Sequence, residues 1–136
     1  MKLIKPKERL LLKGNIVVKK AYCDWDRYKE FKTAMHDSTL ELIEIPHRSQ
    51  SGKNSADIRM VVDALDLCYT KSHVDTFAII SGDSDFSPLV SKLRENAKLV
   101  IGVGVKIIEF AEIHMFIAAD NTVAIPVHQA KTLRLA

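Results

Sequence analysis

Apolar residues in this chain come in short continuous runs separated by stretches with helical spacing, the alternation that builds a parallel α/β sheet. Ile16–Tyr22 reads as a strand, Arg27–His36 as a short helix with Tyr28, Phe31 and Met35 on one side, and Leu40–Ile45 as a strand stopped by Pro46. Arg48–Ser55 is a polar loop. Asp57–Tyr69 follows as a helix, Thr76–Ile80 as a strand, Phe86–Asn96 as a helix whose first turn tolerates Pro88, and Leu99–Val105 as a strand carrying Gly102 and Gly104. Beyond that the pattern loosens: Glu109–His114 is a stub of helix, Met115–Ala119 a last strand, and the tail through Pro126 to Ala136 has no assignment.

The helix at Asp57–Tyr69 has a readable face. At about 100° per residue, Ile58, Val61, Val62, Leu65, Cys68 and Tyr69 form one apolar stripe, expected to be the core side, with Arg59, Asp63 and Asp66 opposite it toward water. Asp57 falls at the edge of the stripe, in the first turn. There it either favours the helix dipole or leans across the strand ends.

The most informative segment is Phe77-Ala78-Ile79-Ile80-Ser81-Gly82-Asp83-Ser84-Asp85-Phe86-Ser87-Pro88, where an apolar run stops at two carboxylates and a helix begins. A buried parallel strand opens at its carboxyl end into the crevice where ligands bind. Gly82 permits the sharp turn that lets Asp83 and Asp85 share that mouth. One reading is a helix cap by Ser84 or Asp85; the other is a divalent-cation site, because two acids one residue apart repel each other unless something compensates. Mg²⁺ takes one or two such carboxylates together with waters and phosphate oxygens. The loop Pro46-His47-Arg48-Ser49-Gln50-Ser51-Gly52-Lys53-Asn54 sets Arg48 and Lys53 just before the Asp57 helix, as a phosphate-contacting edge or as a plain connector.

Composition fits one soluble globular domain: 136 residues, 47% hydrophobic and 27% charged. No apolar stretch approaches the roughly 20 residues of a membrane span, and Met1–Lys7 lacks the pattern of a signal peptide. The cytoplasm and no membrane partner are therefore the expectation. Cys23 and Cys68 have no metal-ligand spacing and are expected as buried thiols. Net charge is +3, but through Lys20 the chain carries seven Lys/Arg against Glu8 alone, a net +6, leaving −3 on the rest. That basic arm either attracts a nucleic-acid backbone or simply aids solubility. HExxH and GxxxxGK[ST] are absent, GxGxxG is not completed after Gly104, and Gly82–Phe86 lacks the second glycine of a hydrolase nucleophile elbow. The five histidines, 36, 47, 73, 114 and 128, show no ligand spacing and read as surface or partly buried residues.

Several motifs taken together resemble a known family. Val17-Val18-Lys19-Lys20-Ala21-Tyr22-Cys23-Asp24-Trp25, Pro46-His47-Arg48-Ser49, Gly52-Lys53-Asn54-Ser55-Ala56-Asp57-Ile58, Val62-Asp63-Ala64-Leu65-Asp66, Ser81-Gly82-Asp83-Ser84-Asp85-Phe86-Ser87-Pro88-Leu89 and Gly102-Val103-Gly104 occur in the order found in NYN domains of the PIN-like ribonuclease superfamily, particularly the LabA-like branch. The resemblance runs from about Asn15 to Lys106. It implies a three-layer α/β/α sandwich around a mainly parallel sheet, and RNA cleavage with Mg²⁺ or Mn²⁺. Carried over by position, it makes Asp57, Asp83 and Asp85 the catalytic and metal-holding acids, with Asn54 and Ser81 as neighbours and Arg48, Lys53 and Ser84 as further substrate contacts. The domain is expected over residues 1–120, with 121–136 as a tail or extra strand.

Two departures from the family pattern shape the expectations. Relatives begin with a central strand ending in an acid, whereas Pro6-Lys7-Glu8-Arg9-Leu10-Leu11-Leu12-Lys13-Gly14 looks like the end of a helix closed by Gly14 as a C-cap. Without that strand, Ile16–Tyr22 and Thr76–Ile80 must close on each other, recruit a C-terminal segment such as Val123–Val127, or pair with a second chain. A homodimer or marginal stability follows. The second departure is that His114 lies near where relatives carry another acid; with the leading acid of the first strand also missing, weak activity or none is expected. The alternative is an inactive NYN remnant that binds RNA or a protein through the basic arm and the Arg48/Lys53 loop. A phosphatase using Asp83 and Asp85 as nucleophile and acid is disfavoured, because the pair comes too late in the chain for that fold's first strand.

Overall fold

The computed structural model describes residues 10–46, 56–82, 86–104 and 113–126. Eight elements run in the order β1 (Leu10–Cys23), α1 (Lys29–Asp37), β2 (Glu41–Glu44), α2 (Ala56–Thr70), β3 (Val74–Ser81), α3 (Ser87–Glu95), β4 (Leu99–Gly104) and β5 (His114–Pro126). The sheet order is β2-β1-β5-β3-β4. β1 pairs β2 and β3 pairs β4 in parallel, while β5 runs antiparallel to both β1 and β3. Four strands therefore point one way, and β5 makes the sheet mixed. Helices lie on both of its faces, as the α/β sandwich expectation required.

Alternation along the strands decides which side chains meet which helices. Tyr22, Phe77, Ile79, Phe116 and Ala118 face one way and pack against Met60, Ala64, Leu67 and Cys68 of α2 and Leu89, Val90 and Leu93 of α3. Ala21 and Cys23 face the other way with Trp25 and Ile113, and Tyr28, Met35 and Leu42 pack there. Cys23 and Cys68 are both buried, as expected.

Three expectations need correction. Leu10–Gly14 is not the end of a helix; it is the first part of β1, paired to β5 from Leu10↔Pro126 to Lys13↔Val123. The gap between β1 and β3 is filled by β5, so the C-terminal option is the one the chain uses, and the last strand is longer than Met115–Ala119. Finally, α2 buries Met60, Ala64, Leu67 and Cys68, whereas Ile58, Val62 and Tyr69 are exposed. The core side of that helix is rotated from the stripe the sequence suggests. The expected helical stub at Glu109–His114 falls mostly outside the described residues, although His114 itself opens β5.

β1 and β5 change register between Lys13↔Val123 and Asn15↔Asp120, leaving Asn121 and Thr122 opposite Gly14 alone, with Asn121 at φ 50°. This is a bulge. A Cβ on residue 14 would sit 2.6 Å from Thr122 Oγ1 and 2.9 Å from the Asp120 carbonyl oxygen. The backbone oxygen cannot swing aside, so Gly14→Ala is expected to destabilise by about 1–3 kcal/mol, read by urea denaturation. A neutral Gly14→Ala would show that the two strands separate there easily.

At the amino end of β3, Asp75 Oδ2 accepts the Thr122 backbone N–H at 3.1 Å and Asp75 Oδ1 accepts the Thr76 hydroxyl at 2.8 Å. Lys98 Nζ donates to the carbonyls of Ser72 and Val74. Burial alone would push the Asp75 carboxyl up, but hydrogen bonding from Thr122 and Thr76 and the Lys98 charge outweigh it and hold it below the ordinary range. A carboxyl lower in the folded than in the unfolded chain stabilises above the unfolded pKa of about 3.9, and that stability is lost as pH falls through the folded value. Asp75→Asn is therefore expected to be less stable near neutrality and to show a flatter acid limb in melting temperature against pH. An unchanged acid limb would contradict the role given to Asp75.

Candidate active site

β1 and β3 both run antiparallel to β5, so the carboxyl ends of β1, β2, β3 and β4 open on one edge of the sheet. The chain enters α2 after β2 and returns through β3, which sets the amino end of α2 on that same edge. A partly buried contact fixes the alignment: Tyr22, near the end of β1, donates its hydroxyl to Asp63 Oδ2 at 2.7 Å. Asp63 thus turns toward the sheet, correcting the expectation that it faces water, while Arg59 Nε donates to its other oxygen at 3.4 Å. Burial, then the hydrogen bond to Asp63 and its charge, push the Tyr22 phenol far above its ordinary value against the opposing Arg59 charge, so it stays a proton donor at any working pH.

Asp57 lies six residues before Asp63, roughly 9 Å further along the helix axis toward the edge. It is half-buried, in phase with Met60, Ala64 and Cys68, and its Oδ1 accepts the Ile58 backbone N–H at 2.9 Å. The sheet-facing side of the first turn is where a carboxylate must stand to meet groups at the strand ends. Ser81 closes β3, and its Oγ shares a hydrogen bond of 2.8 Å with His114 Nδ1 at the start of β5. His114 is buried, and the Phe86 ring packs edge-on against it with centroids 5.8 Å apart. Ser81 and His114 together pin the point where the chain enters Gly82. Of the other sequence-predicted site residues, Asp83, Ser84, Asp85, Arg48, Lys53 and Asn54 lie outside the described residues.

A second acidic group was missed by sequence reasoning. Asp24 follows β1 directly, Asp26 comes two residues later, and Glu44 ends β2; one oxygen from each lies within 4.8 Å of the others. The Asp26 backbone N–H bonds Asp24 Oδ1 at 3.1 Å, which folds the turn back over the strand end. Partial burial, then a hydrogen bond shared with Asp24 and the charges of Asp24 and Asp26, push the Glu44 carboxyl up, against a backbone hydrogen bond from Trp25 that lowers it. Three crowded carboxylates offer oxygen donors only, a set that could hold a hard divalent cation. For Asp24 the available signal was the one that singled out Asp83, an apolar run stopping at an acid; Glu44, flanked by Ile43 and Ile45, carried no such signal.

The chain matches the NYN domain family over residues 2–125, nearly its whole length. It belongs to the NYN family. NYN domains are part of the PIN-like nuclease superfamily, and the family match starts ahead of the Asn15 at which the individual motifs begin. A stretch of 48 residues is 40% identical to an uncharacterized protein, MJ0482, of Methanocaldococcus jannaschii, covering 35% of this chain and 20% of that protein. The chain thus spans about a fifth of that relative's length. No solved structure matches it. Among the described residues no helix is long and apolar enough to cross a membrane.

Proposed function

We propose that this NYN domain is a metal-dependent ribonuclease that hydrolyses RNA phosphodiester bonds, with Mg²⁺ or Mn²⁺ held by Asp57, Asp83 and Asp85. The observation that carries the reading is the position of Asp57: half-buried, on the sheet-facing side of the first turn of α2, at the edge where β3 ends in Ser81 two residues before Asp83. Acids from separate parts of the chain at one edge suit an oxygen-ligated cation. When bound, such a cation activates water and offsets charge on the attacked phosphate. The chain's own groups do the rest: Ser81 and Ser84 border the acids, and Arg48, Lys53 and Asn54, just ahead of α2, contact the RNA backbone. His114 is tied to Ser81 and supplies no carboxylate, in keeping with weak rather than full activity.

The reading is tested by incubating the purified chain with single-stranded RNA, with and without Mg²⁺ or Mn²⁺. Cleavage is expected only with metal, together with a metal-induced rise in melting temperature beyond ionic-strength controls. That rise should survive Glu44→Gln and vanish in Asp57→Asn, which separates the proposed site from the Asp24/Asp26/Glu44 group. Absence of both cleavage and the rise would leave the chain as a non-catalytic module that binds RNA or protein.

A further inference from the structure

α2 is apolar on two opposite sides. Its core side carries Met60, Ala64 and Leu67, all buried. Ile58, Val62, Leu65 and Tyr69 follow one another at intervals of four, three and four residues, which at about 100° per residue keeps them in one narrow stripe roughly opposite Met60. Ile58 is 42% exposed, Val62 55% and Tyr69 56%, while Leu65 between them is half-buried, one side of it packed against the core and the other left on the stripe. A solvent-facing side of a surface helix is ordinarily polar. A stripe at this spacing is instead the seam by which one helix packs on another.

We propose that α2 is a self-association surface, and that two copies of this chain pair their α2 helices antiparallel about a two-fold axis passing between Val62 and Leu65. The charges beside the stripe select this occupant. Arg59 and Asp66 lie two turns apart on the same flank, and the Arg59 side chain is already drawn along that flank by Asp63. In a two-fold pair, residue i meets j and j meets i. Reversing one helix therefore sets Ile58 against Tyr69, Val62 against Leu65, and Arg59 of each copy beside Asp66 of the other. Both ion pairs form at once, and the surface complements itself. This pairing uses no strand edge, so it is independent of the β1–β3 gap that β5 already fills. One helix pair buries less than the roughly 1,200 Å² of a stable interface, and the dimer is accordingly concentration-dependent.

The test is sedimentation equilibrium of the full chain from low to high micromolar concentration. The average mass should climb from that of one chain toward that of two. Val62→Asp should weaken association roughly tenfold or more while leaving the melting temperature of the dilute protein unchanged, since Val62 supports no core contact. Asp66→Arg should weaken association at low salt, and Arg59→Asp combined with Asp66→Arg should restore it. A single-chain mass at every concentration, or a dimer that survives Val62→Asp, overturns the proposal. Failure of the charge exchange to restore association overturns the antiparallel arrangement.

Discussion

Asp57→Asn is expected to reduce metal-dependent RNA cleavage by roughly 100-fold or more, since a bound cation contributes several kcal/mol to such reactions and each 1.36 kcal/mol is about tenfold in rate. The substitution is nearly isosteric. An Asn oxygen can still accept the Ile58 N–H that Asp57 Oδ1 accepts now, so the first turn of α2 keeps its hydrogen bond. What is lost is one negative charge, worth about 0.3–1 kcal/mol against the helix dipole, too little to unfold the domain. Asp83→Asn and Asp85→Asn should behave alike if the three acids act on one cation. The measurement is initial cleavage rate at saturating Mn²⁺, paired with circular dichroism to confirm an intact fold. Undiminished cleavage by Asp57→Asn would remove this residue from the chemistry and with it the proposed site.

Phe116→Ala is expected to cost about 3–5 kcal/mol, a large part of the 5–15 kcal/mol that ordinarily holds a domain together. Phe116 is 1% exposed, stacks on Tyr22 with centroids 6.3 Å apart and meets Phe77 at 6.3 Å. It thus joins an aromatic from β1 to one from β3 through β5, the strand between them. Removing the ring leaves a cavity beneath α2 and α3 where the two parallel pairs of strands meet. The prediction is checked by urea denaturation beside Val123→Ala, which lies on the same strand, is 55% exposed and should cost under about 0.5 kcal/mol. Equal effects of the two substitutions would contradict a central place for β5.

Much of this architecture was legible in residue patterns. Every strand and helix from Ile16 to Gly104 stands close to where periodicity put it, because each is dictated by local spacing and stopped by local signals such as Pro46. The ends of the sheet were not, for reasons that lie beyond local sequence. Leu10-Leu11-Leu12 has no period that separates helix from strand, and only pairing with Ala124–Pro126 decides it. Likewise the central position of β5 is a contact between residues a hundred positions apart. α2 misled differently: Ile58, Val62 and Tyr69 of its apolar stripe stay outside, whereas Met60, Ala64, Leu67 and Cys68 lie beneath the helix. The expectation for Asp57 rested on its place at the helix start, and Asp24 was visible as an acid following an apolar run, whereas Glu44, between Ile43 and Ile45, was not. Tyr22's grip on Asp63 had no such signal, since it depends on how α2 is rotated.

The reversed middle strand also governs the order of assembly. β1 with β2 and β3 with β4 come from the ribosome well before His114–Pro126, yet neither pair can join the other without it. Until that segment emerges, the nascent chain carries two half-sheets with raw inner edges, open to wrong partners. Completion of this sheet is therefore tied to the latest-made of its five strands, and folding is slowed by so distant a closure.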